Sequence, residues 1–215
     1  RDWSSDVCSS DLEKEMDIFN SIGLLLGGSW AAGINLYMSM AGLGIASRME
    51  WIKLPENLDI LSNPIVIVIA LTLFGIEFVA DKIPYVDSLW DSVHTFIRPL
   101  ATSALGYTAM ADSGMIVQVL IATLTGTISL ESHLTKATTR VAINASPEPI
   151  TNSIASVTED VTVAGTLYLI ICHPVVAAVL VTIFIIISIW FLKKMFKLLK
   201  KVFNFSGRKK IALET

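Results

Sequence analysis

Long runs without a charged side chain limit what this chain can fold into more than any other feature. Residues 18–47 hold 30 positions without Asp, Glu, Lys or Arg, 60–76 hold 17, 113–130 hold 18 and 161–192 hold 32. A transmembrane helix needs about 20 mainly apolar residues, and one charge at its centre costs about 2.5 to 3.5 kcal/mol on insertion scales. The four runs therefore predict four spans. A fifth run, 99–111, has only 13 residues; joined to 86–98 it predicts a tilted or broken helix held among the others, where its polar backbone groups find protein partners. The resulting fold class is all-α, a polytopic transmembrane helical bundle of four spans plus one broken or amphipathic element.

Composition agrees and excludes other classes. The chain of 215 residues is 53% hydrophobic and 16% charged, against about 25% charged in soluble domains. A net charge of −3 argues against a basic nucleic-acid binder, and two cysteines argue against a disulfide scaffold. Residues 1–12, RDWSSDVCSSDL, resemble a translated sequencing adapter, so 1–15 are expected to be an artefactual or disordered leader and Met16 the start. Without 1–12 the balance is 15 minus 16, or −1, and Cys172 is the remaining cysteine.

Residues 16–192 read as one transmembrane domain and 193–215 as a basic tail. Lys193, Lys194, Lys197, Lys200, Lys201, Arg208, Lys209 and Lys210 come after the last apolar run. Such a cluster places the carboxyl terminus in the cytoplasm, as in a bacterial inner membrane, and attracts anionic lipid headgroups. The expected partners are the lipid bilayer, those headgroups and a second copy of the chain in a homo-oligomer, with no nucleic acid.

Within the first run, Gly23 with Gly27 and Gly42 with Ala46 have the small-residue spacing that lets helices approach closely. Thirty residues of straight helix would measure about 45 Å, beyond a hydrocarbon core of roughly 30 Å. A tilt or an interruption is required, and 33–37 is the expected place. The amide of Asn35 there must face protein or a wet cavity.

Two helical stripes gather the remaining charge. Glu77 and Asp81 lie one turn apart at the end of the second run, before Pro84. Asp87, Asp91, His94 and Arg98 come next at i, i+4, i+7 and i+11, a stripe roughly 60° wide at 100° per residue. His133, Lys136, Arg140 and Asn144 form a second stripe of about 80°. If the two helices meet, Asp87 and Asp91 pair with Lys136 and Arg140. The segments also suggest a weak internal repeat, since Glu77 with Lys82 and Glu131 with Lys136 share a spacing of five.

Three strings carry a family resemblance: GINLY at 33–37, EFVADKIPYVDSLWDSVHTFIRP at 77–99 and HLTKATTRVAINASPEPITN at 133–152. From about Phe19 to Asp160 the chain resembles the domain-of-unknown-function family numbered 4126, a set of integral membrane proteins. The resemblance implies a multispan bundle and directs attention to the motif residues, but supplies no activity.

Pro147 and Pro149 exclude helix between them, and Asn152 or Ser153 is placed to cap the next helix. Glu148, Glu159 and Asp160 are positioned to return toward Lys136 and Arg140. His94 with the nearby carboxylates has metal-ligand chemistry but no paired-histidine spacing, so no metal and no cofactor is expected. Hydrolase and phosphate-loop motifs are absent, which argues against an enzyme. The leading expectation is a small transporter or channel-like protein whose ion or substrate route uses Asn35, Glu77, Asp81, Asp87, Asp91, His94, Arg98, His133, Lys136, Arg140 and Glu148. The alternative is a structural or lipid- or partner-binding scaffold locked by buried ion pairs.

Overall fold

A computed structural model of the chain describes residues 21–144 and 149–211, and the regular structure among them is helical throughout. The leader at 1–15, Met16 and the loop residue Glu148 lie outside the described residues.

The interruption expected at 33–37 falls on one residue. Helices α1 (Ser21–Ile34) and α2 (Leu36–Arg48) flank Asn35, whose backbone is extended at φ −143°, ψ 99°. Its N–H still donates to Ala31 O at 2.9 Å, and its carbonyl accepts from Ser39 N at 3.1 Å. The side chain caps α2 by accepting from Met38 N at 3.0 Å, the bond that favours Asn at this position. The two helices fold back on each other. A Cβ placed on Gly28 would stand 3.7 Å from Leu43 Cδ1, whereas 15 residues of straight helix would hold the pair about 22 Å apart. The first charge-free run is thus a helical hairpin with Asn35 at its tip.

After a 3-10 segment (Glu56–Ser62), α3 (Pro64–Ala80) sets off at 61° to it. Asn63 caps α3 through Ile65 N at 2.9 Å and Pro64 occupies its first turn. Helix α4 (Pro84–Ala109) continues through Pro99 without a break, so the short fifth run and the amphipathic stretch before it form one element. Helix α5 (Met115–Asn144) runs antiparallel to α4. Gly126 meets Ser103, Gly106 meets Thr125, and Thr125 Oγ1 donates to Thr102 O at 3.0 Å between the helices.

The last run is divided. Helix α6 (Pro149–Cys172) ends at His173, and α7 (Pro174–Ile211) begins at once. His173 donates to Leu169 O at 2.7 Å and accepts from Ala177 N at 3.0 Å, the same single-residue break as at Asn35. A Cβ on Gly23 would lie 2.6 Å from Pro174 O and one on Gly27 2.8 Å from Ile170, while Trp30 stacks on Phe184 at 5.3 Å. Along α1, away from Pro174, the neighbours thus run back down α6 and forward along α7, so these two helices are antiparallel.

Helices α5, α6 and α7 are long and apolar enough to cross a membrane, and the bent 3-10 segment with α3 adds a fourth candidate. The candidate spans therefore do not map one to one onto the charge-free runs. Exposure is inverted relative to a water-soluble protein. Ile65, Ile69, Ile186, Ile187 and Trp190 are more than half exposed, while Glu77, Asp87, Arg98 and His133 are fully buried. Lipid, which solvates isoleucine and rejects charge, accounts for that pattern.

Candidate functional site

The polar stripes of α4 and α5 face each other at one end of the bundle, where α3 ends, α6 begins and the α1–α2 hairpin comes to its tip. The tip is electrostatically demanding. Carbonyls at the end of a helix have no intrahelical partner and carry its negative pole. Arg98 answers this by donating to Gly33 O at 2.7 Å and to Ile34 O, while also bonding Glu77 Oε1. Lys136 Nζ reaches Ile34 O at 3.3 Å, Glu77 Oε1 at 3.3 Å and Asp81 Oδ2 at 3.0 Å. Two cations from different helices therefore close the end of α1 and neutralise the end of α3.

One turn further along α5, Arg140 forms a fork with Glu159 of α6, Nε to Oε1 at 2.9 Å and Nη2 to Oε2 at 2.7 Å. Its Nη1 donates to Asn152 Oδ1 at 2.7 Å, and Asn152 Nδ2 donates to Asp81 O at 2.8 Å. Asn152 is thus a buried link inside α6, which starts at Pro149, and not the cap its position suggested. Asn144 donates to Asp87 Oδ2 at 2.9 Å, and Asn35 donates to Asp160 Oδ1 at 3.1 Å.

The expected pairing of Asp87 and Asp91 with Lys136 and Arg140 is largely replaced. Arg140 lies 3.9 Å from Asp87, but Lys136 and Arg140 are taken up mainly by Glu77, Asp81 and Glu159. The ends of α3 and α6 supply those carboxylates closer than the α4 stripe does. Asp91 is left buried with neither carboxylate oxygen accepting a hydrogen bond. Helix α4 is not among the apolar spans, and burial pushes the Asp91 carboxyl up to about 7 against the opposing pull of Lys136 and Arg98.

The two histidines of the cluster have their tautomers set by neighbours. His94 Nδ1 lies 2.8 Å from Trp90 O, which only accepts, so that nitrogen carries hydrogen and Nε2 accepts from Tyr37 Oη at 3.0 Å. Both of its ring nitrogens are therefore engaged. His133 Nε2 lies 3.0 Å from Asp91 O and therefore donates, leaving a buried Nδ1 without a partner. No three His, Cys, Asp or Glu among the described residues group as ligands for a metal ion.

Away from this cluster, a cavity of about 570 Å³ opens between α1, α2, the second half of α4 and the 51–55 segment. Its walls include Leu24, Leu43, Leu58 and Leu105, and Ala32, Ser39 and Thr102 belong to its lining. Those three lie three or four residues from Asn35 and Arg98, so about one helical turn, or 6 Å, separates the cavity from the charged layer.

The structure thus brings together Asn35, Glu77, Asp81, Asp87, Asp91, His94, Arg98, His133, Lys136 and Arg140; Glu148 lies outside the described residues. Glu131 is not part of the cluster: Thr135 one turn on donates to its Oε1 at 3.4 Å, so the shared spacing with Glu77 does not reflect shared surroundings. Tyr37 and Asn152 belong to the site and were not anticipated there, although both lie within the strings that carry the family resemblance.

The sequence model of a family described as a domain of unknown function, DUF4126, matches residues 22–194. No curated protein and no solved structure matches the chain.

Proposed function

We propose that this chain, which belongs to the DUF4126 family, is a small membrane carrier whose ionic cluster is a closed gate. The observation that supports this most is the arrangement along one axis: a cavity at one end, a helical hairpin whose broken tip lies one turn beyond it, and a buried charged layer behind. Interrupted helices meeting near an ion-binding layer are a recurrent device of alternating-access carriers. The basic run begins on α7 at the gate end, since Ser188 neighbours Glu131 on α5 and Lys193 comes five residues later. By the positive-inside tendency the gate faces the cytoplasm and the cavity the opposite side. Lys193 and its neighbours then sit where anionic headgroups lie, and Lys194 over the Trp190 ring at 5.1 Å is suited to anchor α7 there.

Reconstituted liposomes loaded with proton-, metal- or halide-sensing dyes test the reading. Flux of one such ion above protein-free liposomes, lowered by Lys136→Met, is expected; no flux of any of them counts against it.

The ion pairs that each of Arg98, Lys136 and Arg140 makes favour a second reading, a scaffold locked by ion pairs. In that case the same variant lowers thermal stability and no flux is found in any protein.

A further inference from the structure

Charge balance in the gate is uneven. Ion pairs within 4 Å of Arg98, Lys136 and Arg140 take up Glu77, Asp81, Asp87 and Glu159, four carboxylates against three cations. Asp160 is partly exposed and holds the amide of Asn35. Asp91 has neither: it is 3% exposed, and among the described residues it forms no ion pair and neither of its oxygens accepts a hydrogen bond. An ionised carboxylate so placed would be a second uncompensated buried charge, which proteins avoid by neutralising the group.

We infer that Asp91 is a proton-binding site, loaded in the closed gate, and that its proton is the coupling ion of the carrier. The coupling half of this statement rests on the carrier reading above; the proton site does not.

The groups that face Asp91 show why the proton would matter to the gate. On α4 they are Asp87, His94 and Arg98, and on α5 His133, Lys136 and Arg140. From the other elements come Glu77 and Asp81 of α3, Glu159 and Asp160 of α6, and Tyr37 of α2 through His94. Lys136 and Arg98 are the cations that pull most on Asp91, and they are the same two that close the hairpin tip at Gly33 and Ile34. When the O–H bond breaks, its electron pair stays on the carboxylate and the proton passes to water on the side then open. Asp91 thereby becomes a fifth carboxylate competing for three cations. Lys136 and Arg98 are drawn from the tip, and the hairpin is released.

Infrared difference spectra of the full chain in bilayers, between mildly acidic and alkaline pH, test the site. A protonated-carboxyl stretch should be lost on raising the pH. One component of it should be missing in Asp91→Asn but kept in Glu131→Gln and Asp160→Asn, which remove the other incompletely bonded carboxyls not engaged by the gate cations. A spectrum unchanged by Asp91→Asn overturns the proton site. In parallel, an imposed pH gradient should drive flux in the wild type and fail to do so in Asp91→Asn. Flux that responds to the gradient equally in both proteins overturns the coupling. The infrared component without flux in any protein overturns the coupling and the carrier reading while the proton site stands.

Discussion

At the residue scale, the buried cations should not be interchangeable with neutral side chains. Arg98 is fully buried and holds both a carboxylate and two helix-end carbonyls. Removing one partner of a buried pair costs about 3 to 5 kcal/mol, because the other charge stays behind. Arg98→Met should therefore lower the stability of the detergent-solubilised protein by about that amount, read from thermal or denaturant unfolding. Asp91 should behave in the opposite way. Its carboxyl is raised from 3.8 to about 7, so the folded chain holds a proton that the unfolded chain releases near 4. Its stabilising contribution is full below pH 4 and is lost as the pH rises through 7. Stability of the wild type relative to Asp91→Asn should fall across that window, as followed by unfolding at a series of pH values; a difference independent of pH contradicts the assignment. The two stripes were legible from spacing alone, because 3.6-residue periodicity fixes which side chains share a face. Their partners were not, because the positions of Glu77, Asp81 and Glu159 depend on how α3 and α6 end and begin against α5.

At the element scale, two apolar runs are each interrupted at a single residue whose own N–H and C=O keep their helical bonds. Hydropathy registers the apolar run but not its direction, and for that reason 18–47 and 161–192 each read as one span although each contains a reversal. The only local signs were Asn35 within the first run and Pro174 within the last, and a polar cap or a proline marks a break without giving its angle. A hairpin about Asn35 makes a sharp expectation. In a cysteine-free background, Gly28→Cys with Leu43→Cys should be joined by a short bifunctional thiol reagent. A straight helix, with the pair about 22 Å apart, would give no product. Asn35→Ala removes the α2 cap and the bond to Asp160; the cap alone is worth about 1 kcal/mol. The same crosslink should form less completely in that variant.

At the scale of the whole molecule, polarity runs along the bundle. A mainly apolar cavity lies at one end, ion pairs fill the other, and the tip of the hairpin lies between them. This polarity converts a membrane protein of a family without an assigned activity into a specific mechanical expectation, with the closed end on the side of the basic tail. The measurement that tests it most directly is side-specific labelling of Thr102→Cys, at the end of the cavity nearest the gate, in oriented vesicles with Cys8 and Cys172 replaced by Ser. A membrane-impermeant thiol reagent should reach it only from the side opposite the tail. Adding Glu159→Gln, which removes one charge from the Arg140 fork, should open access from the tail side as well. Labelling confined to the cavity side in both proteins would contradict the claim that the ionic cluster is a gate.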